Sequence, residues 1–131
     1  MNADERRKYK RFRPKQVTFV ALGPLSNRLG NLLDIGPGGL RFEYVSETDN
    51  PGVTKIPVPD EKVDIFISQE KYYLIDVPCK LIYDTEIRRG FRFPLGLKYR
   101  NCGLRFGKLN ARQYEKLKNY FTYFTSDNAS H

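Results

Sequence analysis

The chain has 131 residues and a formal net charge of +8 at pH 7. That length fits one domain and excludes two sizeable cores, and 40% hydrophobic residues are enough to fill one. No apolar run approaches the roughly 20 residues of a membrane span, and the positive excess favours an anionic partner (nucleotide, nucleic acid, acidic lipid or acidic protein) or simply a basic surface.

Residues 1–14, MNADERRKYKRFRP, form a charged arm without apolar periodicity and read as a flexible basic segment. The folded part is expected over 15–126, with a polar tail at 127–131. Apolar alternation begins at Val17, Phe19 and Ala21, which suggests a first strand with that side apolar. Gly23-Pro24 breaks it, and a second strand runs from Leu29 to Ile35. Asp34-Ile35-Gly36-Pro37-Gly38-Gly39 is a dense set of turn formers. Beyond it Leu40, Phe42 and Tyr44 alternate as a third strand. Residues 46–60 read as a loop, and Val63, Ile65 and Ile67 as a fourth strand. Residues 68–71 suit a hairpin turn into a long strand from Tyr72 to Tyr83. Residues 84–96 read as a basic loop, and Leu97 to Phe106 as the closing strand. The one helix is expected over 110–124. Asn110 and Gln113 form a capping-box pair, and Tyr114, Leu117, Phe121 and Phe124 recur at helical spacing. Six strands in short succession predict a mainly β fold, an antiparallel barrel with a C-terminal helix covering one face or opening.

Cys79 and Cys102 lie in apolar strand-like stretches, without C-x-x-C spacing or a histidine cluster, so they read as reduced core thiols and no metal site is expected. The one histidine is His131, and no nucleophile–base pair is suggested, so an enzyme is not expected. The charged N-terminus lacks the apolar core of a signal peptide, which leaves the cytoplasm as the expected location.

Two features carry recognition chemistry. Arg6, Arg7, Lys8, Lys10, Arg11 and Arg13 crowd the arm. A guanidinium clamps phosphate bidentately, pairs with guanine O6 and N7, or stacks on a base. Spacing alone equally allows a solvated tail. In the turn, Gly36, Gly38 and Gly39 permit left-handed φ and close approach of a ligand to the backbone, which can point N–H groups at an anion. Asp34 is a poor neighbour for phosphate but a good acceptor for the N1–H and N2–H₂ edge of guanine. Alone, the turn equally suits a glycine hairpin capped by Asp34.

Together, Arg7-x-x-x-Arg11 and, after residues 12–33, Asp34-x-Gly36-x-x-Gly39 resemble the PilZ family signature, R-x-x-x-R followed by [D/N]-x-S-x-x-G. Glu5-Arg6-Arg7, Gly39-Leu40-Arg41-Phe42 and Cys102-Gly103-Leu104-Arg105-Phe106 with the 110–124 helix extend the resemblance over nearly the whole chain. The resemblance implies a six-stranded barrel that binds cyclic di-GMP as a bacterial second-messenger receptor and relays it to a protein partner. It implies Arg7 and Arg11 on the phosphates and guanine faces, Asp34 on a guanine edge, and Gly36 and Gly39 at the turn. Arg6, Lys10, Gly38 and Tyr83 are secondary candidates. One position departs from the signature, because Gly36 replaces the serine. That departure motivates an alternative, a PilZ-like protein scaffold that has lost its nucleotide, with the basic 88–100 region as a contact. A small-barrel nucleic-acid binder is a further alternative. It is disfavoured because the Tyr and Phe residues fall mostly on strand positions expected to be core.

Overall fold

The computed structural model describes residues 10–23, 27–46, 61–67, 71–87 and 98–126. Among the described residues, eight strands and one helix follow in chain order: β1 (Arg13–Pro14), β2 (Phe19–Gly23), β3 (Arg28–Gly36), β4 (Gly39–Ser46), β5 (Glu61–Ile67), β6 (Tyr72–Ile87), β7 (Lys98–Phe106), α1 (Ala111–Phe124) and β8 (Thr125–Ser126). Six of the strands close a barrel in the order β2-β3-β4-β7-β6-β5, each neighbouring pair antiparallel. Closure leaves no unpaired sheet edge in the barrel.

Alternation fills the interior. Leu40, Phe42 and Tyr44 of β4 and Val63, Ile65 and Ile67 of β5 point inward and are buried. In β2 the inward residues are Val20 and Leu22, while Val17 is exposed. The expected apolar side, Val17, Phe19 and Ala21, is therefore the outer one. Both sides of Phe-Val-Ala-Leu are apolar, and the outer side is used by Phe19, which stacks on Phe66 with ring centroids 5.5 Å apart. β6 runs four residues past Tyr83, so Asp84 is a strand residue, not the start of a loop.

Three one-residue irregularities break the alternation among the described strands; one lies between Leu74 and Val77 of β6, opposite Val63 and Ile65 of β5, and the other two shape the outer wall. Of these two, one lies between Leu32 and Asp34 of β3, the other between Leu81 and Tyr83 of β6. Leu32 pairs with Phe42, and Asp34 then pairs with Arg41. Leu81 pairs with Leu104, and Tyr83 then pairs with Gly103. An extra residue of this kind flips everything beyond it to the other face. Asp34 and Tyr83 are thereby turned outward, and Asp84 is turned in.

Inside, the Asp84 carboxylate meets three donors. Arg28 Nε donates to Oδ2 at 2.8 Å, Arg100 Nε donates to Oδ1 at 2.7 Å, and the Tyr44 hydroxyl also donates to Oδ2. Arg28 lies over the Tyr44 ring at 5.5 Å. Arg100 thus belongs to the interior and not to an exposed basic tip. Arg88, Arg89 and Arg92 of the expected loop lie outside the described residues.

α1 starts at the anticipated capping box. Asn110 Oδ1 accepts from Gln113 N at 2.8 Å and Gln113 Oε1 accepts from Asn110 N at 3.0 Å. Its buried residues are Leu117 and Tyr120, with Phe121 and Phe124 against the core, whereas Tyr114 is exposed. The stripe is rotated from the expected one because the helix lies along β6. There Lys116 Nζ donates to Tyr73 O at 2.7 Å and the Tyr72 hydroxyl donates to Lys116 O at 2.8 Å. No described helix is long and apolar enough to cross a membrane.

Of the arm expected over 1–14, residues 1–9 lie outside the described residues, as does the tail 127–131. Residues 10–14 are tied down. Phe12 and Ile35 exchange backbone hydrogen bonds of 2.8 and 2.9 Å, Phe12 stacks on Phe121 at 4.8 Å, and β1 pairs with β8.

Burial pushes the hydroxyls of Tyr44 and Tyr120 from 10.0 up to about 12, and the thiols of Cys79 and Cys102 from 9.0 up to about 12. A folded pKa above the unfolded one means that the stability tied to the protonated group is complete below the unfolded pKa and is lost as pH rises through the folded one. Urea midpoints are expected to be insensitive to these groups below about pH 9 and to fall steeply between about pH 9 and 12. Asp84→Asn, which leaves Arg28 and Arg100 facing a neutral amide, is expected to cost about 3–5 kcal/mol in urea unfolding.

Candidate functional site

The outward residues of four adjacent strands form one lateral row. Asp34 of β3 pairs with Arg41 of β4, Arg41 with Gly103 of β7, and Gly103 with Tyr83 of β6. Arg11 reaches this row from the segment before β1. Its Nε and Nη2 both donate to Asp34 Oδ1, at 3.1 and 2.5 Å. Arg41 Nε and Nη2 both donate to Oδ2, at 3.1 and 2.7 Å. One carboxylate is therefore clasped by two guanidinium groups, and the cluster keeps a net positive charge. Arg11 Nη1 also donates to Gly39 O at 3.5 Å.

Tyr83 lies flat across β7. A Cβ at position 103 would sit 2.2 Å from its ring, so only glycine leaves the ring room there. Burial pushes the Tyr83 hydroxyl pKa up, with smaller opposing effects of Arg41 and Arg11 (lowering) and Asp34 (raising). The ring thus shares the electrostatic surroundings of the clasp. Between clasp and ring runs a groove of about 240 Å³, bordered by Arg11, Gly38, Gly39, Tyr83, Gly103 and Arg105 among others. Enclosed small-molecule pockets span roughly 300–1,000 Å³. A dinucleotide in this groove would stay partly in solvent, held by its polar edges more than by enclosure.

Gly36 and Gly39 are needed for room, not for a left-handed φ, which neither adopts. A Cβ at Gly39 would sit 2.1 Å from the Leu104 carbonyl oxygen, so glycine here lets β4 and β7 close at the hairpin end. A Cβ at Gly36 would sit 2.8 Å from the Lys10 carbonyl oxygen and 3.3 Å from Arg11 Cδ. The backbone of the arm therefore lies where a serine at position 36 would need space.

Of the anticipated residues, Lys10, Arg11, Asp34, Gly36, Gly38, Gly39 and Tyr83 come together on this wall. Lys10 Nζ itself lies 5.9 Å from the centroid of the Phe12 ring. Arg6 and Arg7 lie outside the described residues. Arg41, Gly103 and Arg105 were not anticipated. The available signal for Arg41 was its place two residues past Gly39 on the polar side of β4, opposite an acidic residue near a break in alternation.

Fold and wall together define a small closed-barrel module with a cationic groove on its outer surface. The chain belongs to the PilZ domain family, whose family model matches residues 5–123. Two solved structures share the fold. The PilZ domain of YcgR from Escherichia coli, with c-di-GMP, aligns with a TM-score of 0.65 at 15% identity, covering 89% of each chain. YcgR of Escherichia coli in complex with c-di-GMP aligns with a TM-score of 0.54 at 15% identity, covering 89% of this chain and 45% of that one. No curated protein sequence matches the chain.

Gly36→Ser is expected to lift the arm. Forcing a side chain into a filled space costs about 1–3 kcal/mol. The Phe12 and Ile35 amides, which bond the arm to β3, should then exchange with deuterium about fivefold faster or more. Unchanged exchange would show that the arm does not depend on glycine there.

Proposed function

We propose that this chain is a non-catalytic bacterial receptor that binds cyclic di-GMP on the outer wall of the barrel and relays occupancy to a protein partner. The observation that carries the reading is the Asp34 carboxylate clasped by Arg11 beside a groove bordered by Gly38, Gly39 and Tyr83. The cyclic dinucleotide of the structural neighbours offers phosphates for arginines and guanine edges for a carboxylate. Arg7 and Arg11 would hold phosphates and guanine faces, with Arg6 and Lys10 as outer contacts. Asp34 would accept from a guanine edge. Gly36, Gly38 and Gly39 would let the ligand approach the turn, and Tyr83 would lie beside a base. The Nε and Nη2 edge of Arg11 rests on Asp34, so a bidentate grip on phosphate by that edge exchanges one partner for the other. The exchange would move the Lys10–Phe12 backbone, and with it the Phe12 ring stacked on Phe121 of α1. That is a route from ligand to a surface seen by a partner. The reading places the protein in the cytoplasm, where Cys79 and Cys102 stay reduced.

The missing serine hydroxyl at Gly36 costs about 0.5–1.5 kcal/mol, or roughly threefold to tenfold in affinity. A second reading rests on the Lys10 carbonyl lying against Gly36. In that reading the arm permanently fills the serine's place and the domain serves as a ligand-free scaffold.

Calorimetric titration with cyclic di-GMP separates the two. Wild type is expected to give saturable heat. Arg11→Ala should lose about tenfold in affinity or more, the worth of a hydrogen bond to a charged group, and Arg7→Ala/Arg11→Ala should lose further. No heat for wild type at high micromolar ligand would sink the receptor reading in favour of the scaffold. Equal binding by the variants would sink the assignment of the site.

A further inference from the structure

We infer that Arg41 is a positioning residue that aims the Asp34 carboxylate at the ligand's base and so sets selectivity for guanine. The inference rests on the receptor reading above.

A carboxylate offers about four acceptor sites. Four donors now occupy Asp34: Nε and Nη2 of Arg11 on Oδ1, and Nε and Nη2 of Arg41 on Oδ2. With both arginines in place, no acceptor is left for a base. One must leave, and their attachments differ. Arg11 sits one residue before Phe12, whose single bridge to Ile35 fastens that stretch to β3. Arg41 sits inside β4 and is paired on both sides, with Asp34 of β3 and Gly103 of β7. The backbone of Arg41 cannot move without opening the barrel wall, whereas Arg11 moves with the arm.

The two arginines therefore have separate roles. Arg11 covers Oδ1 until the ligand arrives and then goes over to the ligand. Arg41 keeps hold of Oδ2 throughout. It fixes the plane of the carboxylate before binding, so that Oδ1 is presented to the N1–H and N2–H₂ edge without a loss of rotamer freedom at that moment. Without Arg41 the Asp34 side chain can turn away, and the site should still grip phosphate but read the base poorly.

The test compares cyclic di-GMP with cyclic di-IMP, whose hypoxanthine keeps N1–H and lacks the exocyclic amine. Affinities are measured by calorimetry for wild type, Arg41→Gln and Arg41→Lys. Melting temperatures are followed in parallel. One charge-assisted hydrogen bond makes wild type prefer cyclic di-GMP by about tenfold or more. Arg41→Gln is expected to bring the preference to about threefold or less, chiefly by losing affinity for cyclic di-GMP. Asp34→Ala, which removes the acceptor, should abolish the preference equally, with no further effect of Arg41→Gln in the double variant. A merely structural role of Arg41 would lower both affinities together and leave the preference intact, and that result overturns the inference. If Arg41→Gln does not fold, Arg41→Lys, which keeps the charge but has no fork of two donors, is judged by the same ratio. A wild type that binds neither dinucleotide overturns the receptor reading itself. A wild type that prefers cyclic di-GMP, with variants that prefer it equally, overturns only the role of Arg41.

Discussion

Side chains on a strand alternate, and a regular strand cannot hold Leu32 inside the barrel and Asp34 outside it. The same conflict stands between Leu81 and Tyr83. One extra residue in β3 and one in β6 resolve it. Without the first, Asp34 would face the core opposite Leu40. Without the second, Tyr83 would point inward and Asp84 outward, and neither the aromatic border of the groove nor the interior ion cluster could exist. Both the outer site and the inner charges depend on these two irregular positions.

The barrel holds two Arg–Asp–Arg clusters of similar composition and opposite character. Around Asp84 every partner is carried by a barrel strand and shielded from water, so the cluster is a fixed strut. Such buried ion groups add little net stability over an apolar filling, but they are costly to break. Around Asp34 one partner comes from a strand and the other from the arm, and the arginine side chains reach solvent. Water can replace what is lost there, which makes an exchange of partners affordable. The difference lies in what carries the second arginine and in how wet it is, rather than in the residue types.

Much of the barrel was legible in the sequence. β4 and β5 alternate cleanly between apolar and polar residues, the turn formers from Asp34 to Gly39 sit at a real hairpin, and the Asn110–Gln113 pair marks the helix start. β2 misled because both of its faces are apolar, so period alone could not tell which was inside. The helix stripe shifted from Tyr114 to Tyr120 because contact with β6, a long-range fact, chooses the buried side. In the site, the arginine and glycine motif residues were visible as a pattern. Arg41 was not, because it looked like any outward residue of a strand. Its pairing with Asp34 follows the hairpin register from Gly36 and Gly39, but for that pair to face outward while Leu32 faces in needs the extra residue in β3, and the trace of that in the sequence is only the doubled apolar pair Leu32-Leu33. Leu81-Ile82 is the matching trace in β6. Asp84 was read as loop because its partners Arg28 and Arg100 are distant in sequence, and nothing local reveals that a lone carboxylate among apolar strands is matched.

β1 and β8, from opposite ends of the described chain, lie side by side, Arg13 opposite Ser126 and Pro14 opposite Thr125. Antiparallel partners are about 4.5–5.5 Å apart. A polypeptide that enters the domain at Arg13 thus leaves it almost where it came in. Such geometry suits insertion as a cassette into a surface loop of another protein, since the host's loop ends need hardly be spread. It also suits circular permutation, in which a short linker joins the old ends and new ones are opened elsewhere. In either arrangement the joint falls next to Phe12 and Phe121, so a host fused there would feel any shift of the arm as a change in the angle between its two attachment points.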